Sequence, residues 1–231
     1  MIEKPRLDHI PEWVRYSDVP PPRPQGDGPG RNLGRTRPQP TFTLLGGRVG
    51  SGRSWFTSPL GPVDRSRAIF LDVMELVAEL GDPKNFPEGA DTSSWPKYEG
   101  WNAMQFYAEA YEVFLRAESQ ARARMVNMIV KSTMRVKEEA EGWISLYKRA
   151  GYRTCGYYMF VSPDVAAKRA LLRYAESEDR GEKAPYVEIE YILRSTTNEA
   201  TFDAVKPMMD TWALYENRGS APKLFAKSNP E

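Results

Sequence analysis

Gly47, Gly52, Arg53 and Ser54 stand at the spacing of a loop that wraps phosphate: a glycine, four residues, a second glycine, a basic residue and a hydroxyl. Such a loop works because consecutive backbone N–H groups converge on an anion at a helix start, and glycines allow the dihedrals this requires. In "LLGGRVGSGRSWF" (residues 44–56) the candidate nucleotide-binding set is Gly47, Arg48, Val49, Gly50, Ser51, Gly52, Arg53 and Ser54. Gly50 and Ser51 would lie under the β-phosphate, and the Ser54 hydroxyl would touch Mg²⁺. The alternative is a glycine-rich turn and nothing more. Arg53 holds the place where a phosphate loop carries lysine. A guanidinium is planar and larger than an ammonium, so it keeps the charge and some anion affinity while misplacing the terminal phosphate. Phosphoryl transfer rests on positioning and electrostatics, so this substitution weakens catalysis more than binding.

The elements that must position this loop are legible from residue 41 onward, where short apolar runs alternate with amphipathic stretches. That alternation predicts an α/β fold, a P-loop NTPase-like parallel sheet flanked by helices. "TFTLL" (41–45) is a strand feeding the loop, and a short helix starts near Gly52 but cannot pass Ser58, because Pro59, Gly61 and Pro62 follow. "AIFLD" (68–72), "NMIV" (127–130) and "GYYMFV" (156–161) are further buried strands. The helix "VMELVAEL" follows the second strand. A long helix spans roughly 99–126, with Trp101, Met104, Ala108, Tyr111 and Leu115 as its apolar stripe. Val136, Ala140, Trp143, Ile144 and Tyr147 mark the core face of the next helix, and Pro163 opens another. "ESEDRGEKAP" (176–185) reads as a mobile loop, followed by two helical stretches and the run "WALYEN" (212–217).

Residues 1–40 differ from the rest. "PPPRPQGDGPGRNLGRTRPQP" lacks both periodicities and cannot bury enough apolar surface to order itself, so an extended or disordered N-terminal arm is expected. Trp13, Val14 and Tyr16 form an apolar cluster within it, either a strap folded back on the domain or an anchor for a protein partner. Residues 41–219 are then the domain and 220–231 a tail. The 231 residues carry 32 basic and 31 acidic side chains, a net charge of +1, which asks for neither nucleic acid nor an anionic membrane. No apolar run approaches the roughly 18 residues of a membrane span. One cysteine and one histidine, Cys155 and His9, exclude an internal disulfide, a CxxC motif and a His-based triad in the body of the chain. A cytoplasmic protein is expected.

The order of motifs resembles the zeta-toxin-like P-loop kinases, whose characterised members phosphorylate UDP-N-acetylglucosamine or related sugar nucleotides. The resemblance rests on "GGRVGSGRS", "IFLDVM", "RAESQARARMV", "NMIVKSTM", "YKRAGYRTCGYYMFVSPDVAAKRALLRY" and "LYENRG", across residues 41–219. It implies that Arg53 replaces the family's loop lysine and that Met74 replaces the aspartate base of an Asp-x-Asp pair begun by Asp72. Lys131, in "KST", replaces an aspartate that helps organise the metal, with Thr133 at the motif's threonine and a substrate-binding role. The resemblance also implies that Arg169 and Arg173 turn towards phosphates, with Arg180 as a third, while the usual Gly-Arg of that loop reads Gly181-Glu182. Glu118 is either a remnant of the substrate-facing glutamate or a structural partner of Arg122.

Two readings follow from these residues. In the favoured one the domain is catalytically degenerate, binding ATP or GTP with Mg²⁺, or no cofactor at all if purely structural, and its arm ties it to a larger assembly. Zeta-like domains occur in bacteriophage genomes, so that assembly could be a phage particle made in the bacterial cytoplasm. In the other, an active kinase of a sugar nucleotide uses Asp72 and Lys131 as catalytic residues, with Asp72 or Glu75 as base and Lys131 supplying the charge that Arg53 misplaces. A salt bridge from Lys131 to Asp72, with no nucleotide, accounts equally well for both residues.

Overall fold

The computed structural model describes residues 38–80, 106–180, 187–219 and 221–228. Residues 1–37 of the expected arm, with Trp13, Val14 and Tyr16, lie outside them, as do Trp101, Met104 and the 181–186 part of the expected loop. Six strands form one sheet: β1 (Thr41–Gly46), β2 (Ile69–Leu71), β3 (Met128–Lys131), β4 (Arg153–Phe160), β5 (Thr211–Glu216) and β6 (Lys223–Lys227). Their order is β2-β3-β1-β4-β5-β6, parallel throughout except for β6, which runs antiparallel to β5. Parallel pairing requires crossovers, and helices supply them: α1 (Val73–Leu80), α2 (Tyr107–Ala123), α3 (Lys137–Arg149), α4 (Pro163–Asp179), α5 (Ile189–Arg194) and α6 (Asn198–Val205). The expected α/β sheet is present.

β1 lies at the centre of the sheet because five of its six residues are buried, as a strand covered on both faces must be. Phe42 stacks on Tyr147 of α3 at 3.8 Å between ring centroids, fastening that helix to the sheet. The buried residues of α2 are Glu109, Ala110, Val113, Phe114, Ala117, Glu118 and Ala121, which corrects the expected stripe: Leu115 and Ala108 are exposed. Of the described members of that stripe, Tyr111 alone packs against the core. Three alanines lie on that face beside Val113 and Phe114, where they fill the interface without bulk.

β4 begins three residues before the expected strand, at Arg153. Residues 223–227, expected in a tail, form the edge strand β6. Its residues are mostly exposed, Phe225 at 70%, so neither alternation nor an apolar run marked it as a strand. α4 continues to Asp179, through residues expected to be loop.

Candidate active-site cleft

The loop leaves β1 at Gly46 and bends through three glycines with positive φ: Gly47 at 139°, Gly50 at 81° and Gly52 at 92°. At Gly50 the demand is double, because a Cβ would lie 2.1 Å from the carbonyl oxygen of Ala166 in α4. The loop is therefore pressed against that helix by the absence of a side chain. Arg48 closes a turn by accepting from the Ser51 N–H at 3.1 Å, and Asn217 Nδ2 donates to the Ser51 carbonyl at 2.8 Å. After Gly52 comes a 3₁₀ turn of five residues, Arg53–Thr57, which ends before Pro59 as the sequence requires. So short a helix has little macrodipole to offer an anion. Side-chain charge must add to what the loop's backbone N–H groups offer.

Four cationic side chains supply it. A cleft of about 530 Å³ over the loop is lined by Gly50, Gly52, Ser54, Trp55, Asn217, Gly219 and Pro222 together with Arg53, Lys131, Arg169 and Arg173. It lies outside the carboxyl ends of the strands, the usual ligand position in an open α/β sheet. Lys131 ends β3 and Asn217 follows β5, three strand spacings apart, so the cleft spans roughly 14 Å of the sheet edge. Arg169 and Arg173 stand one turn apart on α4 and make no ion pair among the described residues.

Arg53 does not lie free in this cleft. Its Nη1 donates to the Ser132 carbonyl at 2.6 Å. Burial of the guanidinium lowers its pKa from the ordinary arginine value, opposed first by the nearby Asp72 carboxylate. Both oxygens of Asp72 have partners. Its Oδ2 accepts from the Lys131 ammonium, and its Oδ1 accepts from the Met74 N–H at 3.0 Å, capping the first turn of α1. Glu75, one turn along, is pushed above the usual carboxylate range by burial and by Asp72, despite Lys131 and its pairing with Arg65 at 3.7 Å.

The other expected residues are placed as follows. The Arg48 side chain turns away from the cleft and is 3% exposed, donating to the Ser195 carbonyl at 2.6 Å and to Glu199 at 2.5 Å. Glu199 also accepts from Tyr158 at 3.1 Å, and burial first, then Glu199, drives the Tyr158 hydroxyl pKa upward. Val49 packs on the apolar cluster around Val161 and Ala166. Glu118 is far from the loop, near the amino end of β3, accepting from Arg122 at 2.7 Å and from Tyr147 at 2.8 Å, while Tyr147 also contacts Met128. That is the structural partnership with Arg122. Thr133 offers its carbonyl to Asn198 at 2.7 Å and is not among the cleft-lining residues. Arg180 follows α4, exposed and outside the lining.

Trp55, Asn217, Gly219 and Pro222 line the cleft and lie outside the expected set. One signal was present for Asn217: "WALYEN" ends on it, and a strand paired beside β4 brings its carboxyl end to the loop. Among the described residues no group of three or more His, Cys, Asp or Glu could hold a metal ion, and no helix is long and apolar enough to cross a membrane.

The sequence model of the family described as Zeta toxin matches residues 86–229. In fold, the chain is similar to a protein of the PezAT chromosomal toxin–antitoxin system of Streptococcus pneumoniae, with a TM-score of 0.62 at 15% identity over 82% of this chain and 72% of that one. It is similar also to AvrRxo1-ORF1:-ORF2 with ATP, at 0.57 and 14% identity over 82% of this chain. The same complex with sulphate ions gives 0.52 at 17% identity. This chain spans 58% of the matched chain in each of those two. No curated protein matches the chain.

Proposed function

The chain belongs to the zeta toxin family, and from that premise we propose that it is a nucleotide-phosphate-binding member in which phosphoryl transfer is lost. One relationship carries this reading: the ammonium of Lys131 holds Asp72, the carboxylate that a transfer reaction would need for its metal or its proton. Beside it the loop cation Arg53 is bound to the Ser132 carbonyl, and Met74 cannot accept a proton. Positioning and charge stabilisation supply nearly all of the catalysis in phosphoryl transfer. Removing one such stabiliser commonly costs about 100- to 1,000-fold. Binding is affected less, because Arg169, Arg173 and the loop remain at the cleft. An ATP complex exists for AvrRxo1-ORF1:-ORF2, whose fold is similar, which supports ATP as the ligand here.

The test is a thermal-shift titration with ATP and with GTP, alongside turnover of labelled ATP. The expected result is a saturable rise in melting temperature without turnover. No rise with either nucleotide overturns the binding reading.

A second reading has its own observation, that Lys131 itself lines the cleft. It would make the protein an active kinase of a sugar nucleotide of the UDP-N-acetylglucosamine kind, with Lys131 carrying charge to the phosphates. Turnover abolished by Lys131→Ala selects this reading.

Residues 1–40 supply the contact to a protein partner in the proposed function. The toxin–antitoxin system and the two-chain complex among the similar structures support a partner of this kind. Deleting residues 1–40 should abolish co-purification of the partner while leaving the melting temperature of the domain within a few degrees. Retained association overturns the anchor.

A further inference from the structure

A kinase of this fold works with Mg²⁺, and the charged residues present do not fit that ion; the Ser54 hydroxyl lines the cleft but brings no negative charge. Magnesium requires near-octahedral oxygen ligands and is held by one or two carboxylates with substrate phosphates. The carboxylate beside the loop is Asp72, whose two oxygens already accept from Lys131 and from the Met74 N–H. Glu75 is drawn to Arg65. Every charged side chain lining the cleft is a cation: Arg53, Lys131, Arg169 and Arg173. A divalent cation entering there meets repulsion with no free carboxylate to offset it.

We infer that the cleft takes the polyphosphate chain of a nucleotide in its metal-free form, with the Lys131 ammonium supplying positive charge that a metal would otherwise bring. This rests on the nucleotide-binding reading above and names the form of its ligand. An ammonium has three N–H donors. One serves Asp72, which fixes the nitrogen at the end of β3, and two remain for phosphate oxygens. Its side chain is 19% exposed, and it opens into the cleft rather than into solvent at large. Arg169 and Arg173, on one face of α4, present guanidinium forks suited to the oxygens of a second phosphate. Four cations against one carboxylate leave an excess of three positive charges, which favours the more negative, metal-free triphosphate over its magnesium complex.

The experiment is calorimetric titration of the full chain with ATP in EDTA and in excess MgCl₂ at matched ionic strength, with inorganic tripolyphosphate as a base-free probe. Binding in EDTA at least as tight as in magnesium is expected for both probes. Lys131→Met should weaken metal-free binding about tenfold, the loss of one charge-assisted hydrogen bond. It should also free Asp72, so that magnesium now strengthens binding. Binding that requires magnesium in the native chain overturns the inference and leaves the nucleotide reading standing. Absence of binding in both buffers overturns both. The native comparison needs no variant, so a misfolded Lys131→Met does not weaken the test.

Discussion

Arg53 Nη1 donates to the Ser132 carbonyl at 2.6 Å, joining the phosphate loop to the residue after β3. The arginine is thus a structural tie between two strand ends as well as a cation at the cleft. Arg53→Lys, which restores the usual loop residue, should not restore activity. Lysine lacks the planar fork and would leave the carbonyl without its charged donor, at a cost of about 1–2 kcal/mol. Urea denaturation should show that loss, and labelled ATP should show no turnover. Turnover above background in Arg53→Lys would refute the view that Lys131 blocks the site independently.

Asn217 holds the loop from the other side, through its 2.8 Å bond to the Ser51 carbonyl. Its Nδ2 would be 2.5 Å from a Cβ on Gly52, so asparagine and glycine are fitted to each other. Asn217→Ala should cost about 1–3 kcal/mol by leaving a buried acceptor unpaired. It should also weaken ATP binding, because the loop loses a restraint at its turn. Equal ATP affinity in the variant and the native chain would confine Asn217 to stability.

The Arg48–Glu199 pair is the buried charge that ties the loop to α6. Glu199→Ala leaves the buried Arg48 charge with only the Ser195 carbonyl as partner, for which about 3 kcal/mol of destabilisation is expected. The double variant Arg48→Met, Glu199→Leu should recover most of this, because the stranded charge is gone. A double-mutant cycle by thermal denaturation measures the coupling. Additive losses would show that the pair is not coupled.

The acid side of the stability curve has two opposed contributions. Glu75 titrates above its unfolded value because of burial, so the native state favours its protonated form. Its favourable contribution is complete below the unfolded pKa and is lost as pH rises through the raised folded value. Glu75→Gln should therefore stabilise the protein at neutral pH and make no difference in acid. Asp210 is the reverse. Burial raises its pKa, but the hydrogen bonds from Thr154 and Lys148 outweigh this and hold it low. Its contribution is present above the unfolded pKa and is lost as pH falls through the depressed folded value, so Asp210→Asn should destabilise at neutral pH and converge on the native chain in strong acid. Melting temperatures from pH 3 to 7 check both signs.

The parallel sheet was legible because each buried strand is a compact apolar run beside a turn signal, as in "TFTLL" before its glycines. The break after Ser58 was legible because proline cannot continue a helix. β6 was not: an exposed edge strand needs no apolar face, only the unpaired edge of β5, and that edge exists only once the sheet is assembled. The face of α2 was less legible, because most of its buried apolar residues are alanines, which carry little hydrophobic signal individually.

The sequence by itself determined the loop's backbone, since three glycines at this spacing permit left-handed dihedrals that other residues resist. It also determined the charges that could reach the loop, and the absence of a proton acceptor at Met74. Tertiary structure alone decided what those charges do. β3 brings Lys131 to Asp72 from 59 residues away, α4 brings Arg169 and Arg173 over the loop, and α6 draws Arg48 out of the cleft into a buried pair. Spacing in the chain governs conformations, which are local. The partner of a charge is set by distance in space and by the water that folding removes, and both are properties of the assembled sheet.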